Sequence, residues 1–189
     1  RAGGRVAFTE DSISVRDVKG TMLGGATTLS GGTQPDGQLV INAQGDATVT
    51  GLRGVFDHPW RRHITGGASY SAAVTLRGRE TRIAFESGLR GVASDLPPPL
   101  AKSAEESMPL RVEIAPVEGG DRIAVAVGGN VAAEFIRRGS GETAVVQRAA
   151  VAFGPAATLP LKLPERNWIA LAGDLPALDL DRWLPLVPG

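Results

Sequence analysis

The 189-residue chain contains no cysteine. Neither a disulfide framework nor a thiolate metal site is therefore available to it. Aromatic residues make up 5% of the sequence, and basic and acidic residues cancel at 20 each. A nucleic-acid partner needs a basic footprint to displace counterions, so balanced charge argues against one. The same balance offers no electrostatic grip on anionic headgroups. No uninterrupted apolar run reaches the roughly 18 residues that a membrane-spanning helix needs. Common catalytic motifs are missing too: there is no Gly-x-Ser-x-Gly elbow, no Gly-x-x-x-x-Gly-Lys phosphate cradle and no His-Glu-x-x-His. The chain opens at Arg1 without an initiating Met or a signal peptide, as an excised segment would, so any anchor or export signal is expected outside it.

What the sequence does have is alternation. Val6 and Phe8 oppose Arg5 and Ala7, and Ile13 and Val15 repeat the pattern after a turn at Asp11-Ser12. Leu39, Ile41 and Ala43 share a side, as do Tyr70, Ala72, Val74 and Leu76, and then Ile83 and Phe85. The most regular stretch comes later: Leu110, Val112 and Ile114 oppose Arg111 and Glu113, and Ile123, Val125 and Val127 oppose Arg122, Ala124 and Ala126. Period-two patterning of this kind marks half-buried strands, and Gly119-Gly120 and Gly128-Gly129-Asn130 fall at hairpin spacing. Strands are also expected over Val131–Ile136, Glu142–Phe153 and Asn167–Ala172. A short terminal helix, capped by Asp179 or Asp181, is expected to carry Trp183. A second short helix is conceivable over Asp46–Phe56, although Gly51 and Gly54 interrupt it.

Between the two strand-rich parts lies a stiff crossing. Gly88 and Gly91 break the strand that ends at Ser87, and three consecutive prolines, Pro97 to Pro99, withhold backbone donors and hold the chain extended. The expected organisation is a first β-sheet segment over 1–95, a proline-rich crossing over 96–109, and a second segment over 110–189 that continues the first.

The run Ser87-Gly-Leu-Arg-Gly-Val-Ala-Ser-Asp-Leu-Pro-Pro-Pro-Leu-Ala-Lys102 resembles the SDLRG-x-x-x-x-LP-x-P-x-x-K signature of the YhdP branch of the AsmA-like superfamily, with Gly88 in place of the usual Asp. Leu23-Gly24-Gly25 and Asp179-Leu-Asp-Arg-Trp183 are similar to further family features in the expected order. The resemblance implies an internal fragment of a very large bacterial envelope protein. Such a parent would be anchored in the inner membrane, with a long curled sheet implicated in moving phospholipid toward the outer membrane.

Many strands with one apolar face each, and no long amphipathic helix to cover them, leave two architectures. Periodicity alone is met slightly better by a closed two-sheet sandwich or barrel. Abundant glycine, which lets a sheet bend, and scarce aromatics favour one open trough, and the resemblance carries the rest. The expected fold is mainly β: an elongated, strongly twisted antiparallel sheet curled into a hydrophobic groove, with at most one or two short helices. Its expected lining is Val6, Phe8, Leu39, Ile41, Val74, Leu76, Ile83, Phe85, Leu110, Val112, Ile114, Ile123, Val125 and Val127. The resemblance implies phospholipid as ligand, other envelope proteins as further partners, a periplasmic location, no cofactor and no catalytic residue. The alternative is a closed sandwich serving as a scaffold in an envelope complex.

Other candidate chemistry has simpler explanations. His58 and His63 flank Pro59, with Asp57 available to orient an imidazole, but Arg61 and Arg62 would repel a cation, so a solvated loop is expected. Asp174, Asp179 and Asp181 could suggest calcium, yet no ligand loop joins them, and helix capping accounts for the Asp-Leu-Asp run. Lys102, Glu105 and Glu106 are expected in a solvated loop. Trp60, Trp168 and Trp183 suit core or rim positions better than a membrane interface.

Overall fold

The computed structural model describes residues 3–54, 59–139, 144–174 and 180–186. Strands dominate: β1 (Gly3–Phe8), β2 (Ile13–Met22), β3 (Gly25–Thr33), β4 (Leu39–Thr48), β5 (Ile64–Arg77), β6 (Glu80–Ser87), β7 (Val92–Ser94), β8 (Leu110–Val117), β9 (Gly120–Val127), β10 (Val131–Arg138), β11 (Val145–Phe153) and β12 (Ile169–Gly173). All but β7 lie side by side in chain order, with β6 pairing directly to β8, while β7 pairs with the start of β5. The result is one long, curled, open sheet whose free edges are β1 and β12. No second sheet packs on it among the described residues, so the closed sandwich is not formed.

Hairpin chemistry explains the order. The β9–β10 turn places Gly128 and Gly129 at φ 62° and 75°, a region that side-chain-bearing residues seldom enter. Each turn therefore returns the chain antiparallel to its predecessor. The last step differs: β12 runs parallel to β11, a correction to the antiparallel expectation for that strand. A parallel neighbour cannot be reached by a tight turn, and residues 154–168 make the crossover.

Other boundaries move as well. The helix conceived over Asp46–Phe56 does not form. Asp46 to Thr48 complete β4, a single 3-10 turn spans Gly51–Gly54, and Val55 and Phe56 lie outside the described residues. β5 begins at Ile64, not Tyr70, because its first residues pair with β7. The terminal helix is one turn, α1 (Leu180–Trp183). Asp181 lies within that turn, and Asp179 is outside the described residues.

The crossover lies across one face of the sheet's C-terminal half. Small side chains on that face, Ala124, Ala132, Ala150 and Ala152, are buried beneath it and let an extended strap lie close. Among them sits Glu134, 2% exposed. Its carboxylate takes two hydrogen bonds from Arg122, at 2.7 and 2.8 Å, and a third from the Leu161 backbone N–H at 3.0 Å. Burial pushes the Glu134 carboxyl upward, but the Arg122 hydrogen bonds and the Leu161 amide outweigh it and hold it below the ordinary carboxylate range.

The strap should therefore be acid-sensitive. Because the native carboxyl is depressed, its stabilisation is complete above the unfolded value of about 4.3 and is lost as pH falls through the lower native value. Glu134→Ala would cost on the order of 3 kcal/mol, the low end for a broken buried pair, since Arg122 is partly solvated. Urea midpoints for wild type and Glu134→Gln, measured from pH 7 downward, should draw together as the pH falls below the unfolded carboxylate value.

Candidate functional site: an uncovered apolar sheet face

Residues directly opposite one another on paired strands point to the same side of a sheet, so the register can be followed across the molecule. Phe8 faces Ile13 and Val6 faces Val15. Leu39 and Ile41 face Leu76 and Val74, which face Thr81 and Ile83 on the next strand. Ile83, Phe85 and Ser87 face Ile114, Val112 and Leu110, which face Ile123, Val125 and Val127. The register thus places all fourteen expected lining residues on one continuous face.

Further residues share that face beyond those expected to line it. Val18, Leu29, Ala43 and Ala72 extend it on the N-terminal side. Val131, Ala133 and Phe135 continue it onto β10, Val151 and Phe153 onto β11, and Ile169 and Leu171 onto β12. Simple alternation misses part of this set because β2 changes phase. Val15 pairs with Gly31 but Val18 with Leu29, so one extra residue is accommodated, and Asp17 takes a left-handed conformation at φ 50°. Val15 and Val18 then share a face despite their odd spacing.

Most of these side chains are half-buried: neighbours in the sheet flank them, and no layer lies above among the described residues. Toward the free edges exposure rises, to 71% at Phe8 and 72% at Leu171. The opposite face is treated differently. It is charged and solvated around Arg82, Glu86, Arg111 and Glu113, and covered by the strap farther along.

One polar pair on the apolar face is sealed. Tyr70 stands opposite Gly45, which stands opposite Thr27. A Cβ at Gly45 would come within 2.2 Å of the Ala26 carbonyl. The Tyr70 ring, 5% exposed, reaches across that strand, its hydroxyl 2.9 Å from that of Thr27. It also stacks on Phe85, with centroids 5.3 Å apart. Two hydroxyls therefore satisfy each other and present no unmet polar group on the face.

The opposite face has a shallow depression of about 860 Å³ near Gln44, Asp46, Ser69, Ser71, Glu86 and Arg111. Its polar groups answer one another. The Ser69 hydroxyl donates to Asp46 at 2.8 Å, and Arg111 lies 3.4 Å from Glu86 and 2.7 Å from Glu113. It is a less distinctive candidate than the apolar face.

Lys102 is not in a solvated loop. It is buried, and its ammonium donates to the carbonyls of Leu89, at 2.9 Å, Ser103, at 2.8 Å, and Val92. Leu89 is left-handed at φ 50°, and the Ser87 hydroxyl accepts its N–H, so the lysine gathers carbonyls that this turn withdraws from the sheet. Gly91 packs so close to β5 that a Cβ there would lie 2.4 Å from the Gly67 carbonyl. The signature run thus forms a clasp joining the crossing to β5, while Glu105 and Glu106 remain exposed.

His63 belongs to the same region. Its Nδ1 lies 2.9 Å from the Asp95 carboxylate, and its Nε2 accepts from Arg62 at 3.0 Å. Asp57 and His58 fall outside the described residues. Asp174 and Asp181 are exposed, and no cluster of three metal-ligating side chains occurs among the described residues. Trp60 and Trp183 meet edge to face at 6.2 Å and donate to the carbonyls of Leu186 and Pro98, so the chain's end returns to the crossing. Trp168 is exposed beside β12. No helix among the described residues is long and apolar enough to cross a membrane.

A family model described as YhdP protein matches residues 1–188. No curated protein and no solved structure matches the chain.

The sealed hydroxyl pair predicts a particular pattern of stabilities. Tyr70→Phe should cost about 1–3 kcal/mol by leaving the Thr27 hydroxyl buried and alone, whereas adding Thr27→Val should recover most of that loss. Urea midpoints of the two single variants and the double variant measure it.

Proposed function

The chain belongs to the YhdP family, and from that premise we propose that this segment shields phospholipid acyl chains as they cross the periplasm between inner and outer membranes, making and breaking no bonds. The observation that carries the reading is the continuous apolar face that no other described residues cover, while the chain's own strap covers the other side. Each methylene in water costs about 0.8 kcal/mol, so a free phospholipid with two long chains meets a barrier on the order of 20 kcal/mol. A surface of Val, Ile, Leu and Phe replaces one apolar environment with another, and the barrier largely disappears without a catalytic group. Charge must stay off such a lining, since an unpaired ion beside hydrocarbon costs several kcal/mol.

Dimensions fit the same ligand. From Ile123 to Val127 the face advances four residues, about 14 Å at strand rise. One leaflet of a bilayer's hydrocarbon core is about 15 Å deep, half of roughly 30 Å. Membrane contact belongs, on this reading, to segments of the parent protein outside these residues, and other envelope proteins are candidate partners there.

Two positions of opposite parity test the proposal. A photo-crosslinking side chain at Val125, on the apolar face, should capture phospholipid when the parent protein is expressed in a Gram-negative envelope. The same group at Glu113, on the other face, should not. Protein adducts alone at Val125 would replace acyl-chain shielding with a scaffold role.

A further inference from the structure

Asp121 stands opposite Arg137 on β9 and β10, one step beyond the Ile123–Phe135 pair and on the same face. Within the paired register of the described strands, no other charged residues occupy that face. The carboxylate and the guanidinium are 2.8 Å apart, and their side chains are 33% and 36% exposed. Asp121 engages one terminal guanidinium nitrogen, while the buried Nε has no acceptor among the described residues. The pair therefore marks the margin of the apolar face with both signs of charge and no net charge.

We propose that the Asp121–Arg137 pair receives the headgroup of a zwitterionic, amine-bearing phospholipid whose acyl chains lie along Ile123, Val125 and Phe135. The inference rests on the acyl-chain reading above. A guanidinium presents a planar fork of donors suited to phosphate oxygens, and the adjacent carboxylate complements an ammonium a few ångströms away. A headgroup carrying both groups can answer both side chains. A net-anionic headgroup would meet Arg137 with Asp121 opposing it, and a lipid without a headgroup would leave the pair unused. Charges of one sign would select for net charge; a close pair of opposite charges selects for a dipole.

The test uses the parent protein with vesicles that contain, in turn, photoactivatable phosphatidylethanolamine, phosphatidylglycerol or diacylglycerol at equal mole fraction, reading adducts on β9 and β10. Wild type should label with phosphatidylethanolamine about tenfold more than with phosphatidylglycerol, the ratio for one charge contact of 1.4 kcal/mol, and with diacylglycerol least. Asp121→Asn should bring phosphatidylethanolamine down to phosphatidylglycerol, and Arg137→Gln should bring both down to diacylglycerol. If Arg137→Gln does not fold, Asp121→Asn alone decides. Equal labelling by all three lipids in wild type, or a preference unchanged by either substitution, overturns the headgroup site and leaves acyl-chain shielding standing. No labelling by any lipid, diacylglycerol included, removes both. Excess water-soluble phosphoethanolamine distinguishes the remaining source: if it binds at the pair while no lipid labels there, the ligand is a free phosphate ester and the lipid form is overturned.

Discussion

Main-chain pairing in a continuous register is the constraint on which the rest of this structure depends. Side chains alternate with period two, so a slip of one residue anywhere would turn a strand's valines and isoleucines into water and its arginines and glutamates onto the apolar side. Eight-residue strands such as β8, β9 and β10, joined by tight turns, resist that slip. Where the phase must change, it does so at a bulge. The extra residue in β2 beside Asp17, and another where β11 shifts between Arg148 and Val146, keep apolar residues on their face.

The two faces then receive opposite treatment. Near the C-terminal end the chain spends a proline-containing crossover on the side that carries Glu134, laying it over alanines small enough to admit it. Such cover is possible because the buried carboxylate there is fully answered by Arg122 and Leu161; an unanswered one would cost several kcal/mol. On the other side the larger apolar residues are left to their lateral neighbours. A fold seeking stability alone would cover the face with more apolar area, so the arrangement is consistent with a surface kept for a ligand, the role proposed for the family segment.

The signature run has a structural explanation distinct from that surface. Lys102, Ser87, Leu89 and Gly91 are held to one another and to β5 by hydrogen bonds between the Ser87 and Lys102 side chains and main-chain groups, and by the Gly67 N–H donating to the Gly91 carbonyl. They let the chain leave the sheet after β6 and return as β8 without disturbing the pairing of those two strands. A loop of this length is expected at the surface and mobile; a buried ammonium with three carbonyl acceptors instead fixes it. The aromatic contact of Trp60 with Trp183 secures the chain's end to the same place.

Local alternation was enough to assign the strands at Leu110–Ile114 and Ile123–Val127 and to sort their residues by side, because a half-buried strand writes its environment into every second position. Gly119-Gly120 and Gly128-Gly129 were enough to locate the turns on either side of β9, since few other residues tolerate a positive φ. Local sequence had no means of showing that β12 would run parallel, that Val18 would rejoin Val15 across a bulge, or that Lys102 would be buried. Each of these depends on partners distant in the chain. The choice between closed sandwich and open sheet belonged to the tertiary structure for the same reason: alternation states that a face is apolar, but what lies against that face is a property of the whole fold.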